Sequence, residues 1–136
     1  MIRSAALLAS VLVLAACGSG SKASGGSRCE DVPVGLNNEV ASSLSSGFTV
    51  DGFRAVKSRD HKNVWFMSGR AANPSGGVLY PIWATNKLSD TGKVYAVDPE
   101  SLQVTPNVPK LPGGSATDDG AAASRDCARN ASAKGS

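Results

Sequence analysis

One histidine, three cysteines and a few paired carboxylates are the residues of this chain that could do chemistry. His61 stands beside Asp60 in the run Ser58-Arg59-Asp60-His61-Lys62, and a His–Asp pair can orient a general base. Neighbours on a turn seldom aim at one target, and no motif places a serine or cysteine nucleophile nearby, so the run reads as a solvated hairpin turn. Asp118 and Asp119 could be half of an acid–base pair. They also follow Thr117 as a helix start would, a capping hydroxyl and then carboxylates at the positive end of the helix dipole, and that role accounts for them. Gly76-Gly77 and Gly113-Gly114 lack the following Lys-Ser/Thr of a phosphate loop. Asp51, Asp60 and Asp90 lack calcium-loop spacing, and a single histidine without ligand spacing argues against zinc. No catalytic residue, cofactor or metal is expected, and the chain reads as something other than an enzyme.

The cysteines carry more. Residues 1–16 place one cation, Arg3, ahead of an uncharged and mostly apolar run from Ala5 to Ala16. That order is the order of a secretory signal. As a helix the run would rise about 18 Å, short of a hydrocarbon core of about 30 Å, which disfavours a permanent membrane span. The run ends in Leu14-Ala15-Ala16-Cys17, which resembles the lipobox of bacterial lipoproteins. The resemblance implies a diacylglyceryl group on the Cys17 sulfur and cleavage before Cys17, leaving residues 1–16 as a removed signal peptide. Two acyl chains anchor stably where one is marginal. Three cysteines are an odd number for an exported protein. With Cys17 taking lipid, Cys29 and Cys127 are left as a pair, and an extracytoplasmic site permits them to bond; two free thiols are the alternative.

Residues 18–27 are small apart from Lys22, the composition of a flexible tether with a reach of roughly 5–6 Å × √10, about 17 Å. Lipidated Cys17 and this tether occupy residues 17–28, a single domain follows over 29–129, and 130–136 read as a frayed tail. Gly18 follows the cysteine, so the inner-membrane retention signal of an aspartate at that position is missing. With the Ala/Gly/Ser-rich composition, this favours the outer face of a Gram-positive cell membrane. The formal charge of +3 is too small to suggest nucleic acid as a partner.

Along the domain, Asp31 can cap a helix with Pro33 in its first turn, and Val32, Leu36, Val40 and Leu44 recur as one apolar stripe. Strand patterns follow at Phe48–Lys57, Asn63–Ala71, Val78–Asn86 and Lys93–Asp98, separated by turns, with Pro81 marking an edge or bulge. Thr105–Gly114, with three prolines and two glycines, reads as an irregular segment. A last helix is expected from about Asp118 to Arg129. The expectation is an α+β fold: a four-stranded antiparallel meander with an N-terminal and a C-terminal helix packed on one face.

The segments Tyr80-Pro81-Ile82-Trp83-Ala84-Thr85-Asn86, Tyr95-Ala96-Val97-Asp98, Asp118-Asp119-Gly120 and Asp126-Cys127 resemble small exported or lipid-anchored domains of high-GC Gram-positive bacteria. That resemblance spans residues 29–128 and implies export and the domain limits, and no activity. Two functional classes follow: a membrane-anchored binding or accessory module at the cell envelope, engaging an envelope protein, polymer or small ligand, or else an envelope hydrolase. A prophage-encoded lipoprotein that excludes related phages is a variant of the first. Strand parity points to a binding patch. If two helices cover the face of Val64, Phe66, Val78 and Ile82, then Trp65, Met67 and Trp83 lie on the bare face, where an exposed apolar cluster would mark a partner site. The alternative is that the segment around Val108–Leu111 folds over them as a second core.

Overall fold

The computed structural model describes residues 28–134. The expected signal peptide, Cys17 and the tether up to residue 27 lie outside the described residues. The first two expected strands are present as β2 (Thr49–Lys57) and β3 (Trp65–Ala72), antiparallel neighbours at the centre of the sheet. The third is broken by Tyr80 and Pro81 into β4 (Val78–Leu79) and β5 (Ile82–Thr85), both pairing with β3. Pro81 has no N–H to give a ladder, and its carbonyl instead accepts the Ser68 hydroxyl at 2.6 Å. The fourth is the short β6 (Val94–Ala96), and a two-residue β1 (Glu30–Asp31) borders β2. The sheet therefore has six strands rather than four, in the order β1-β2-β3-β5-β6 with β4 also on β3. The proline-rich segment lies along β6, where Ala96 donates to Pro109 O and Leu111 donates to Ala96 O.

A bulge in β2 decides which side chains reach the core. Asp51 pairs with Arg70 and Arg54 with Ser68, so Gly52 and Phe53 together oppose Gly69. Gly52 has φ +67°, the left-handed conformation a bulge of this kind asks of glycine. The extra residue shifts parity by one, and Val50 before it packs into the same core as Phe53 and Ala55 after it. A β-carbon on Gly69 would stand 2.8 Å from Val50 Cγ1, so the missing side chain lets those two close over the strand.

The helices lie on both faces, which corrects the expectation of one covered face. Helix α1 (Val34–Ser42) and helix α2 (Pro99–Val104) bring Leu36, Val40 and Val104 onto the face of Met67 and Trp83. Helix α3 (Ala121–Lys134) covers the opposite face, where Ala121 packs with Phe66, Ile82 and Ala84. The physical reason is that both parities of β3 and β5 are apolar, so each face needs a cover. Along α3 the buried positions Ala121, Ser124, Cys127 and Ala128 are small, and the helix lies close on β2 and β3.

Two helix ends also differ from expectation. Asp31 does not cap α1; it pairs with Arg54 at 2.6 Å. The amide of Gly35 in the first turn of α1 donates instead to Asp90 Oδ1 at 2.7 Å, a cap supplied from the β5–β6 turn. A β-carbon on Gly35 would lie 2.4 Å from the Asp90 carbonyl oxygen, so glycine is what admits that turn. Helix α3 begins at Ala121, after Gly120 at φ +95°, and continues through residues 130–134, where a frayed tail is expected.

Candidate functional site

The Trp65–Met67–Trp83 patch is not a surface. Met67 and Trp83 are fully buried, Trp83 with its ring 5.8 Å from Phe53 and its Nε1 donating to Thr105 Oγ1 at 2.9 Å. Val108 packs into the same cluster, so the second-core alternative holds for Met67 and Trp83, whereas Leu111 packs on the opposite face with Phe66 and Ile82. Helices α1 and α2 both cover this face of Met67 and Trp83. Trp65 is half-buried under the Lys57 ammonium, which stands 5.2 Å from its ring centre.

The structure assembles a different site at the β2–β3 turn. Ser58 is buried and its Oγ accepts the amides of Asp60 and His61, both at 3.1 Å. The turn is closed by Ser58 N donating to Val64 O and by Asn63 at φ +57°, a conformation asparagine tolerates better than most residues. So shaped, the turn docks on the segment ahead of α3. Asp60 Oδ2 accepts the Asp119 amide at 2.7 Å, and Asp119 Oδ2 accepts the Arg59 amide at 2.8 Å. A β-carbon on Gly120 would come within 3.4 Å of Ser58 Cα and Val56 O, so the segment passes close over the strand end.

Arg28 completes the site from the other side. Its guanidinium grips Asp119 with two bonds, 3.2 Å and 2.8 Å, and also donates to the Lys57 carbonyl at 2.7 Å. The Arg28 bonds, followed by the Arg59 amide, hold the Asp119 carboxyl down at about 2, against an ordinary 3.8; the same pairing raises the Arg28 guanidinium. One residue further on, Cys29 bonds to Cys127 of α3 with their Cα atoms 5.8 Å apart, which pins Arg28 beside the turn.

His61 Nε2 lies 2.8 Å from Asp118 Oδ2. A carboxylate oxygen accepts, so Nε2 is the ring nitrogen placed to donate. The ring meets Phe66 edge-on at 6.3 Å, and Nδ1 has no partner among the described residues. Asp118 also accepts the Ser115 amide at 2.8 Å. Neither aspartate starts α3 as expected: both are spent on the turn. His61 does have a carboxylate partner, and it is Asp118 rather than adjacent Asp60.

Arg28, Lys57, Ser58, Arg59, Asp60, His61 and Lys62 line an open surface depression of about 610 Å³. Its walls hold more cations than carboxylates: Arg28, Lys57, Arg59 and Lys62 against Asp60. Asp60 and Asp119 turn their carboxylates to backbone amides and Arg28, whereas the Arg59 and Lys62 side chains have no ion-pair partner among the described residues. The arrangement suits a small anion. Among the described residues, no group of histidine, cysteine and carboxylate side chains could hold a metal, and no helix is long and apolar enough to cross a membrane. No protein-family model, curated protein or solved structure matches the chain.

Proposed function

We propose that this chain is an extracytoplasmic lipoprotein, anchored through Cys17 to a membrane and serving there as a binding or accessory module of the cell envelope. The observation that carries the reading is the partition of the cysteines. Cys29 and Cys127 are bonded to each other, which leaves Cys17 as the single thiol, directly after the apolar run of residues 5–16. A bonded pair belongs to an oxidising compartment, consistent with export, and a lone cysteine at that point of a signal-like sequence is where lipid would be attached. The basic depression at the β2–β3 turn is the binding face this reading assigns.

Metabolic labelling with palmitate in a bacterial host tests the anchor. The wild-type chain is expected to take up label and to lose residues 1–16 by intact mass, and Cys17→Ser to do neither. Equal labelling of the two chains, or none of either, overturns the anchor.

The His61–Asp118 pair supports a second reading, an envelope hydrolase in which Asp118 orients the imidazole as a base. Release of soluble fragments from cell-wall material, abolished by His61→Gln, would favour it over the binding role.

A further inference from the structure

Arg28 is both a wall of the basic depression and the residue at which the described domain begins. The chain running back toward Cys17 therefore leaves the domain at the rim of that depression. Only residues 18–27 separate the two points, a span whose root-mean-square reach is about 17 Å if flexible. A domain held on so short a leash at this rim presents the rim to the membrane surface more than its opposite end.

The charges there are arranged for an anion. Arg59 and Lys62 are exposed and without a carboxylate partner among the described residues. The Arg59 amide holds Asp119, and the charge of its side chain adds a smaller pull on the same carboxylate. Lys57 adds a third cation above Trp65. Of the acidic groups closest in the chain, Asp119 is paired with Arg28, while Asp60 accepts one amide and keeps its charge, which leaves Lys57, Arg59 and Lys62 in excess of it.

We infer that this depression takes the phosphate of an anionic lipid headgroup in the membrane on which the domain is tethered. Arg59 and Lys62 supply the contact and Arg28 closes its back wall. The inference rests on the proposed lipid anchor at Cys17. Each basic residue at an anionic surface strengthens attachment about fivefold, and tethering makes the encounter intramolecular, at an effective concentration in the millimolar range. Two such side chains thus suffice where a free domain would need many.

The test uses the full lipidated protein in phosphatidylcholine vesicles, with and without phosphatidylglycerol. Its readout is hydrogen exchange at the amides of residues 59–63. Phosphatidylglycerol is expected to slow exchange there severalfold. The slowing is expected to disappear in Arg59→Ser/Lys62→Ser, whose backbone contacts are intact, and to fade at high salt. Vesicle-bound protein with equal exchange in both compositions overturns the headgroup contact and leaves the anchor standing. Equal slowing by millimolar inorganic phosphate in phosphatidylcholine vesicles overturns the lipid as the source and assigns the site to a free anion. Protein that floats with neither vesicle overturns the anchor itself.

Discussion

Arg125 on α3 lies against the carboxylate of Asp98, which is 4% exposed, and so ties the outer helix to the turn that starts α2. Asp98 is heavily committed. Its Oδ1 accepts Ser101 N at 2.9 Å, within a capping box that opens α2, and Ile82 N at 3.1 Å from β5. Arg125 covers the other oxygen and donates from Nε to Tyr80 O at 2.9 Å, beside the break that Pro81 makes between β4 and β5. One side chain thus joins both layers of helix to the sheet. Arg125→Ala leaves a buried carboxylate without its counter-charge and is expected to cost about 3 kcal/mol. Asp98→Asn keeps an oxygen for both amides and is expected to cost less. Urea unfolding of the two variants checks the order. A loss below about 0.5 kcal/mol for Arg125→Ala, the scale of ordinary surface substitutions, would show that water has taken over the role of the guanidinium.

The Cys29–Cys127 bond joins residues 98 apart in sequence. Loop closure on that scale is worth about 4–5 kcal/mol in the chain-entropy account, a large share of the ~5–15 kcal/mol that holds a domain together. Reduction is expected to lower the melting temperature by on the order of 20 °C, and Cys29→Ala/Cys127→Ala to match it. Because Arg28 precedes Cys29, the same treatment should loosen the wall of the basic depression. A shift of only a few degrees would mean that β1 and α3 are held by their packing and not by the bond.

What was legible in the sequence followed from local chemistry. Strands β2 and β3 were visible as apolar runs around a polar turn, and the core helix α1 as a four-residue stripe. The pairing of the two domain cysteines came through the lipobox resemblance. What was missed depended on partners distant in the chain. Asp98-Pro99-Glu100-Ser101 carries the signature of a helix start, with a cap and a proline in the first turn. Read instead as the end of a strand, it hid α2 and made one face of the sheet look bare. Asp51-Gly52 marked the bulge, and without that parity shift Val50 and Phe53 cannot share a core. At the site, His61 was visible and its partner was not, because Asp118 lies 57 residues on. Adjacency suggested Asp60, whose carboxylate in fact reaches the Asp119 amide.

Asp119 makes the stability of the site depend on acid in a predictable direction. Its carboxyl sits at about 2 in the folded chain and near 3.8 when free of partners. A group with a depressed folded value contributes its full stability above the unfolded value and loses it as pH falls toward the folded one. The contribution is therefore complete above about pH 4–5 and lost between pH 4 and 2. Other carboxylates titrate in the same window, so the comparison must be made against a chain lacking this one. Asp119→Asn carries no charge at the position, is less stable at neutral pH, and has a shallower decline below pH 4. The melting curves of the two chains should accordingly converge as pH falls from 4 to 2. Arg28→Gln should show the same convergence, since it removes the bonds chiefly responsible for the depression. The pair is partly exposed, at 25% and 28%, so added salt should shrink the gap at neutral pH. Melting temperatures at low salt from pH 6 to pH 2 measure all three chains. Curves that run parallel across the acid range would show that the Asp119 carboxyl is no more acidic in the fold than out of it, and that Arg28 does not hold the turn.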